Sequence, residues 1–121
     1  MAEHLEGLKS STREEIIKRL LHATDYLYTY YDQNPGLEEL AQVSCLSKFH
    51  FLRLFKIAFG KTPHKFITEL RIRKAKELLA GTKEDVQLIA HKVGFDTAST
   101  FSRLFFNQVG VYPSQFRQSI V

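Results

Sequence analysis

Apolar residues recur along this chain at intervals of three and four, and short polar or glycine-containing breaks separate them into seven runs. Ile16, Leu20, Ala23, Leu27 and Tyr30 share one face of a first helix. Ser11-Thr12-Arg13-Glu14-Glu15 is its start, with a hydroxyl three residues before a carboxylate, and Asn34-Pro35-Gly36 is its end. Leu37 to Val43 reads as a short second helix with Leu40 and Ala41 inward, followed by a turn at Ser44-Cys45-Leu46. Ser47 caps a third helix that runs to Phe59 and is closed by Gly60. Thr62-Pro63 opens a long fourth helix reaching about Ala80, with Gly81 as its stop. Asp85 caps a fifth holding Val86, Ile89, Ala90 and Val93, and Gly94-Phe95 turns the chain. Asp96 or Thr97 caps a sixth that ends at Gly110, and Tyr112-Pro113 opens a seventh. No alternating strand pattern or hairpin dipeptide interrupts them, so the predicted fold class is all-α.

Two of these runs repeat each other. At an offset of 50, positions 51–66 and 101–116 share Phe, Arg, Leu, Phe, Gly, Pro and Phe. Leu40-Ala41 matches Ile89-Ala90 at an offset of 49, so the second copy has one extra residue after its turn. A repeated unit of short helix, tight turn and second helix is the helix-turn-helix plan. The expected organisation is residues 1–11 as a polar tail or the stub of an upstream domain, then 12–62 as a first helix-turn-helix subdomain. Residues 63–81 form a linker helix and 82–121 a second subdomain. At ~1.5 Å per residue, the linker helix spans roughly 27 Å, comparable to the ~34 Å between successive major grooves on one face of DNA.

The faces of the two second helices suggest what they do. Phe51, Leu54, Phe55 and Ala58 form an inward stripe, leaving Lys48, Phe49, Leu52, Arg53 and Lys56 outward. In the second copy Phe101, Leu104 and Phe105 turn in, while Ala98, Ser99, Ser102, Arg103 and Phe106 turn out. Arginine forks onto guanine O6 and N7, and small apolar groups meet the thymine methyl, so both surfaces suit a major groove. The competing reading is a plain bundle in which Phe49 and Leu52 pack on a neighbouring helix. His50 stands at the start of a basic helix, where a phosphate contact and an ordinary surface histidine are equal readings.

Charge sharpens this picture. The net charge of the 121 residues is +4, but residues 47–83 hold ten Lys/Arg against two Asp/Glu. A segment at +8 coinciding with the repeat is the footprint of a polyanion partner. Lys61, Lys65, Arg71, Arg73, Lys74 and Lys76 surround the linker helix, and most are expected to be simply solvated.

Catalytic and metal chemistry have little support. Cys45 is the lone cysteine, expected to be buried and inert in an apolar turn. The five histidines are scattered, and no i, i+4 pair or Cys pair marks a metal site. No glycine-rich phosphate loop is present, and no cofactor is expected. No run approaches ~18 apolar residues and the N-terminus lacks a signal peptide pattern, so the expectation is a cytoplasmic protein with no membrane partner.

The chain resembles the DNA-binding domain of the AraC/XylS regulators of bacterial transcription over about residues 12–118. The segments that carry the resemblance are Leu37-Glu38-Glu39-Leu40-Ala41 and Leu46-Ser47-Lys48-Phe49-His50-Phe51-Leu52-Arg53-Leu54-Phe55-Lys56. With them stand Gly60-Lys61-Thr62-Pro63, Arg73-Lys74-Ala75-Lys76-Glu77-Leu78-Leu79 and Ile89-Ala90-His91-Lys92-Val93-Gly94-Phe95. Ser99-Thr100-Phe101-Ser102-Arg103-Leu104-Phe105 and Gly110-Val111-Tyr112-Pro113-Ser114-Gln115-Phe116-Arg117 complete the match. The resemblance implies a seven-helix fold and asymmetric promoter sites read by two helices in adjacent major grooves. Carried over by motif, the base-contacting positions are Phe49, Leu52 and Arg53, then Ala98, Ser99, Thr100 and Arg103. The double-stranded DNA site is completed by Lys48, His50, Lys56 and Ser102, with RNA polymerase and an upstream sensory domain outside this chain as further partners.

Two positions depart from the family pattern. Cys45 stands where the first turn often has glycine, so a different local backbone is expected. Phe106 stands where lysine usually follows the phenylalanine, which removes a phosphate contact and implies weaker DNA binding by the second unit.

The expected function is a sequence-specific DNA-binding transcription regulator and not an enzyme. The alternative is a helical protein-interaction module without nucleic-acid binding, which gives no reason for the paired arginines.

Overall fold

The computed structural model describes residues 10–120, and every regular element among them is helical. Seven α-helices follow one another: α1 Ser10–Tyr30, α2 Leu37–Val43, α3 Lys48–Phe59, α4 Pro63–Gly81, α5 Val86–Lys92, α6 Ala98–Val109 and α7 Pro113–Ser119. A single 3-10 turn, Tyr31–Gln33, follows α1, and left-handed Asn34 (φ 52°) then leads into Pro35. The expected tail falls largely on residues 1–9, outside the described residues, while residues 10 and 11 belong to α1. None of the described helices is long and apolar enough to cross a membrane.

The caps explain why the helices start where they do. Ser47 Oγ accepts from the His50 amide (3.2 Å), Thr62 Oγ1 from Lys65 (3.2 Å) and Asp85 Oδ1 from Gln87 (3.3 Å). Of the two candidates ahead of α6, Thr97 is the cap, its hydroxyl accepting from the Thr100 amide at 3.1 Å. Each such bond satisfies an amide that has no partner inside its helix. Left-handed Gly60 and Gly110 close α3 and α6.

The chain forms two compact units. Among the described residues, the first comprises 10–30 and 35–67, the second 31–34 and 68–120. In the first, α1 packs on α2 and α3, and α2 packs on α3. Leu20, Ala23, Leu27, Leu40, Ala41, Phe51, Phe55, Ala58 and Ile67 are buried in its core. In the second, α5 packs on α6 and α6 on α7. Its core joins Ile72, Ala75 and Leu79 of α4 to Ile89, Ala90, Val93, Phe95, Phe101 and Phe105.

The internal repeat extends further than the helix-turn-helix pair. Arg19, Leu20, Ala23 and Leu27 of α1 recur as Arg71, Ile72, Ala75 and Leu79 of α4, at an offset of 52. The three apolar positions are buried in both helices. Each unit therefore begins with a helix of pattern Arg-apolar-x-x-Ala-x-x-x-Leu. Aromatic packing repeats as well. Phe51–Phe55 and Phe55–Phe66 have centroids 5.5 and 5.6 Å apart, and Phe101–Phe105 and Phe105–Phe116 both lie at 5.6 Å. Within α4, the first turn carries Pro63 and Phe66, counterparts of Pro113 and Phe116, and the remainder carries the counterpart of α1. The division between the units falls inside this helix.

Candidate nucleic-acid interface

In α3 the rings of Phe51 and Phe55 are fully buried, which leaves the opposite side of the helix to solvent. Lys48, His50, Arg53 and Lys56 are exposed there, and Phe49 is 83% exposed. No acidic residue occurs in α3. An 83%-exposed phenylalanine is not packing on a neighbouring helix, so the plain-bundle reading does not describe Phe49. It describes Leu52 in part. Leu52 is 40% exposed and borders an apolar hollow with Leu27, Leu37, Leu40, Pro63 and Ile67.

The surroundings of α3 include groups that its own sequence does not reveal. Arg53 and His50 line an open hollow opposite Thr12, Glu15, Ile16 and Arg19 of α1. There Arg19 Nε pairs with Glu15 Oε1 at 3.2 Å, and Arg19 Nη1 donates to the carbonyl of Cys45 at 3.2 Å. Lys48 Nζ pairs with Glu38 Oε1 of α2 at 3.2 Å. Exposed pairs of this kind are worth ~0–1 kcal/mol, so Lys48 remains available to a competing anion.

In α6 the buried Phe101 and Phe105 set the same geometry. Ser99, Thr100 and Arg103 are exposed, while Ala98 and Ser102 are half-buried. Thr97 Oγ1 lies 3.0 Å from Thr100 Oγ1, so the Thr100 hydroxyl is held against the cap. Phe106 is 41% exposed and stacks on Tyr112, with centroids 4.6 Å apart. By the offset of 50, Phe106, Val111 and Tyr112 correspond to Lys56, Lys61 and Thr62. Two lysines of the first unit are thus replaced in the second by an exposed apolar edge.

Two sequence-based expectations need correction. Cys45 is exposed, not buried, and its turn keeps both backbone bonds of the glycine turn although its φ differs from the 107° of Gly94. Its φ is 55°, and the bonds from Cys45 N to Gln42 O and from Leu46 N to Ala41 O match those from Gly94 N to His91 O and from Phe95 N to Ala90 O. The turn's two backbone bonds hold the left-handed conformation, and the outward direction of the side chain makes room for it. Arg71 is not solvated but 8% exposed, and the Tyr31 carbonyl and the Asn34 side chain accept from its guanidinium. Arg71 and the α1 residues Glu15 and Arg19 are the neighbours that sequence reasoning missed. The Arg-apolar-x-x-Ala repeat was the signal that would have found both arginines.

The helix-turn-helix domain family matches residues 40–119, two-thirds of the chain. A solved AraC-type DNA-binding-domain regulator from Chromobacterium violaceum superposes with a TM-score of 0.82 at 25% identity, over 87% of this chain and 94% of that one. The chain belongs to the AraC/XylS family, as its DNA-binding domain. A second likeness is to the C-terminal domain of AraT, a response regulator from Geobacillus stearothermophilus. It has a TM-score of 0.79 and 31% identity over 84% of both chains. The MmsAB operon regulatory protein of Pseudomonas aeruginosa is 37% identical over 100 residues, covering 83% of this chain and 32% of that protein. The chain spans about a third of the length of the curated relatives it matches. The all-helical, two-unit reading of the sequence is the fold of this AraC-type domain.

Proposed function

We propose that this domain binds double-stranded DNA as the reading end of a bacterial transcription regulator, with α3 and α6 in adjacent major grooves of one asymmetric site. The observation that carries the proposal is the exposed arginine at corresponding positions of two helices, Arg53 and Arg103, each backed by a buried pair of phenylalanines. Arg53 and Arg103 read guanine edges. Phe49, Leu52, Ala98, Ser99 and Thr100 supply apolar and hydroxyl contacts to neighbouring bases. Lys48, His50, Lys56 and Ser102 hold the phosphate backbone and set the register of the two helices. With α4 as the linker helix, the first unit contributes Lys48, Arg53 and Lys56 from its reading helix and the second contributes Arg103. The first unit therefore supplies most of the affinity. RNA polymerase and a sensory domain belong to the same proposal, as partners of a longer regulator.

The test is selection of duplexes from a randomised pool by this chain at moderate salt. A two-part motif should be enriched, one part for each helix. Retention of no duplex above background at any salt concentration would instead favour the protein-interaction module.

A further inference from the structure

The guanidinium of Arg71 fills the space beneath the turn that leads into α6. Its Nε donates to the Tyr31 carbonyl at 2.7 Å and its Nη2 to Asn34 Oδ1 at 2.6 Å. Its Cζ lies 5.6 Å from the centroid of the Phe95 ring. A Cβ placed on Gly94 would come within 2.9 Å of Arg71 Cζ and Nε. The side chain therefore packs against both residues of the turn, Gly94 and Phe95, and donates to two acceptors outside it. Burial pulls its pKa below the usual arginine value, and nearby Asp32 and Asp96 oppose that shift. Arginine titrates far enough above neutrality that it stays charged.

The turn sets the direction of α6. Phe95 is tied back to Ala90 O by its amide at 3.0 Å, and its ring packs on Phe101 with centroids 5.4 Å apart. Two residues after Phe95, Thr97 caps the helix. Without the guanidinium, the Phe95 ring would have empty space on one side and Gly94 would lose its floor. Base readout by a forked side chain tolerates errors of only ~0.5 Å or ~10–20° in its supporting element. A lysine in place of Arg71 would keep the charge but could not donate in two fixed directions from one plane. Arg19 occupies the corresponding place in the first unit, where its Nη1 donates to Cys45 O in the turn ahead of the reading helix, whereas the donors of Arg71 go to Tyr31 O and Asn34 Oδ1 and the guanidinium packs against its turn. An arginine thus stands beside the turn in both units, half-exposed and bonded to the turn in the first, buried and packed against it in the second.

We propose that Arg71 is a specificity-determining positioning residue: from outside the reading surface, it sets how α6 presents Arg103 to DNA. This rests on the reading of α6 as a recognition helix. The test compares wild type with Arg71→Lys, Asn34→Gly and Arg103→Ala, each as the full chain. Asn34→Gly removes one acceptor of the guanidinium at an exposed, left-handed position that glycine adopts freely, so it keeps the test open if Arg71→Lys fails to fold. The probe is the duplex that wild type selects from a randomised pool, scanned one base pair at a time. Arg71→Lys should lower discrimination about tenfold at the bases read by α6, the scale of one misread pair, and change it less than twofold at those read by α3. Asn34→Gly should do the same to a smaller extent. Amide exchange in the free protein should quicken at residues 94–100 and not in α3.

Three results would overturn the proposal. If the Arg71 and Asn34 variants lose affinity equally on every sequence, only the folded fraction has changed. If Arg103→Ala relaxes base preference while those two variants leave it intact, this inference alone fails. If Arg103→Ala changes no base preference, α6 is not a reading helix and both proposals fall together.

Discussion

Cys45 and Gly94 occupy the same left-handed position in the turns of the two units, with φ of 55° and 107°. The amide of each bonds three residues back, to Gln42 and His91 at 3.0 and 3.1 Å. The next amide reaches five residues back, to Ala41 and Ala90, at 3.0 Å in both. Their surroundings differ. The Cys45 side chain is exposed, whereas a Cβ on Gly94 would meet Arg71 at 2.9 Å and the Asp32 Cα at 3.0 Å.

Replacing these two residues should therefore have opposite effects. A side chain in the left-handed region costs ~1–2 kcal/mol, partly offset by the greater freedom of glycine in the unfolded chain. Cys45→Gly should raise stability by up to ~1 kcal/mol. Gly94→Ala adds a steric clash to that backbone cost and should lower stability by about 2–3 kcal/mol. Urea denaturation of both variants checks the pair, and destabilisation by Cys45→Gly would mean that its side chain has a role this geometry does not show.

Binding to duplex DNA should weaken steeply with salt. Ten Lys/Arg against two Asp/Glu in residues 47–83 make neutralisation of ~5–8 phosphates reasonable, for a log–log slope of about −5 to −7. Fluorescence anisotropy with a labelled duplex between low and moderate salt measures it, and a slope near zero is incompatible with the DNA reading.

The paired arginines should be dispensable for folding and necessary for readout. Both are exposed, so Arg53→Ala and Arg103→Ala should change stability by less than ~1 kcal/mol. Each should cost ~1–3 kcal/mol of binding at its own half of the selected site and relax the base preference there. A base-by-base affinity scan decides. Equal weakening on all sequences would make that arginine a phosphate contact instead.

Phe106→Lys should restore to the second unit the cation that Lys56 gives the first. The lost stack on Tyr112 is worth ~0.5–1.5 kcal/mol, so folding should survive. Affinity should rise on specific and unrelated duplexes alike, and the salt slope should steepen by about 1. An unchanged slope would place this edge away from the DNA backbone.

The sequence by itself determined the helices and the faces they present. Caps such as Ser47, Asp85 and Thr97 act through bonds to amides two or three residues away, so their effect is visible in local order. The inward stripes of Phe51/Phe55 and Phe101/Phe105 follow from helical period alone, and that leaves Arg53 and Arg103 outward. What only the tertiary structure decided depends on partners distant in the chain. Arg71 looked like one solvated cation among several on a basic helix. It is buried because the Tyr31 carbonyl and the Asn34 side chain, 40 and 37 residues away, are brought to it. Cys45 looked buried because its sequence neighbour Leu46 is apolar. It is exposed because a left-handed turn points its side chain outward. Leu52 looked wholly outward, yet it borders a hollow built from α1, α2 and the start of α4. Periodicity places a residue on a face, but the burial of that residue is set by which elements the fold packs beside it.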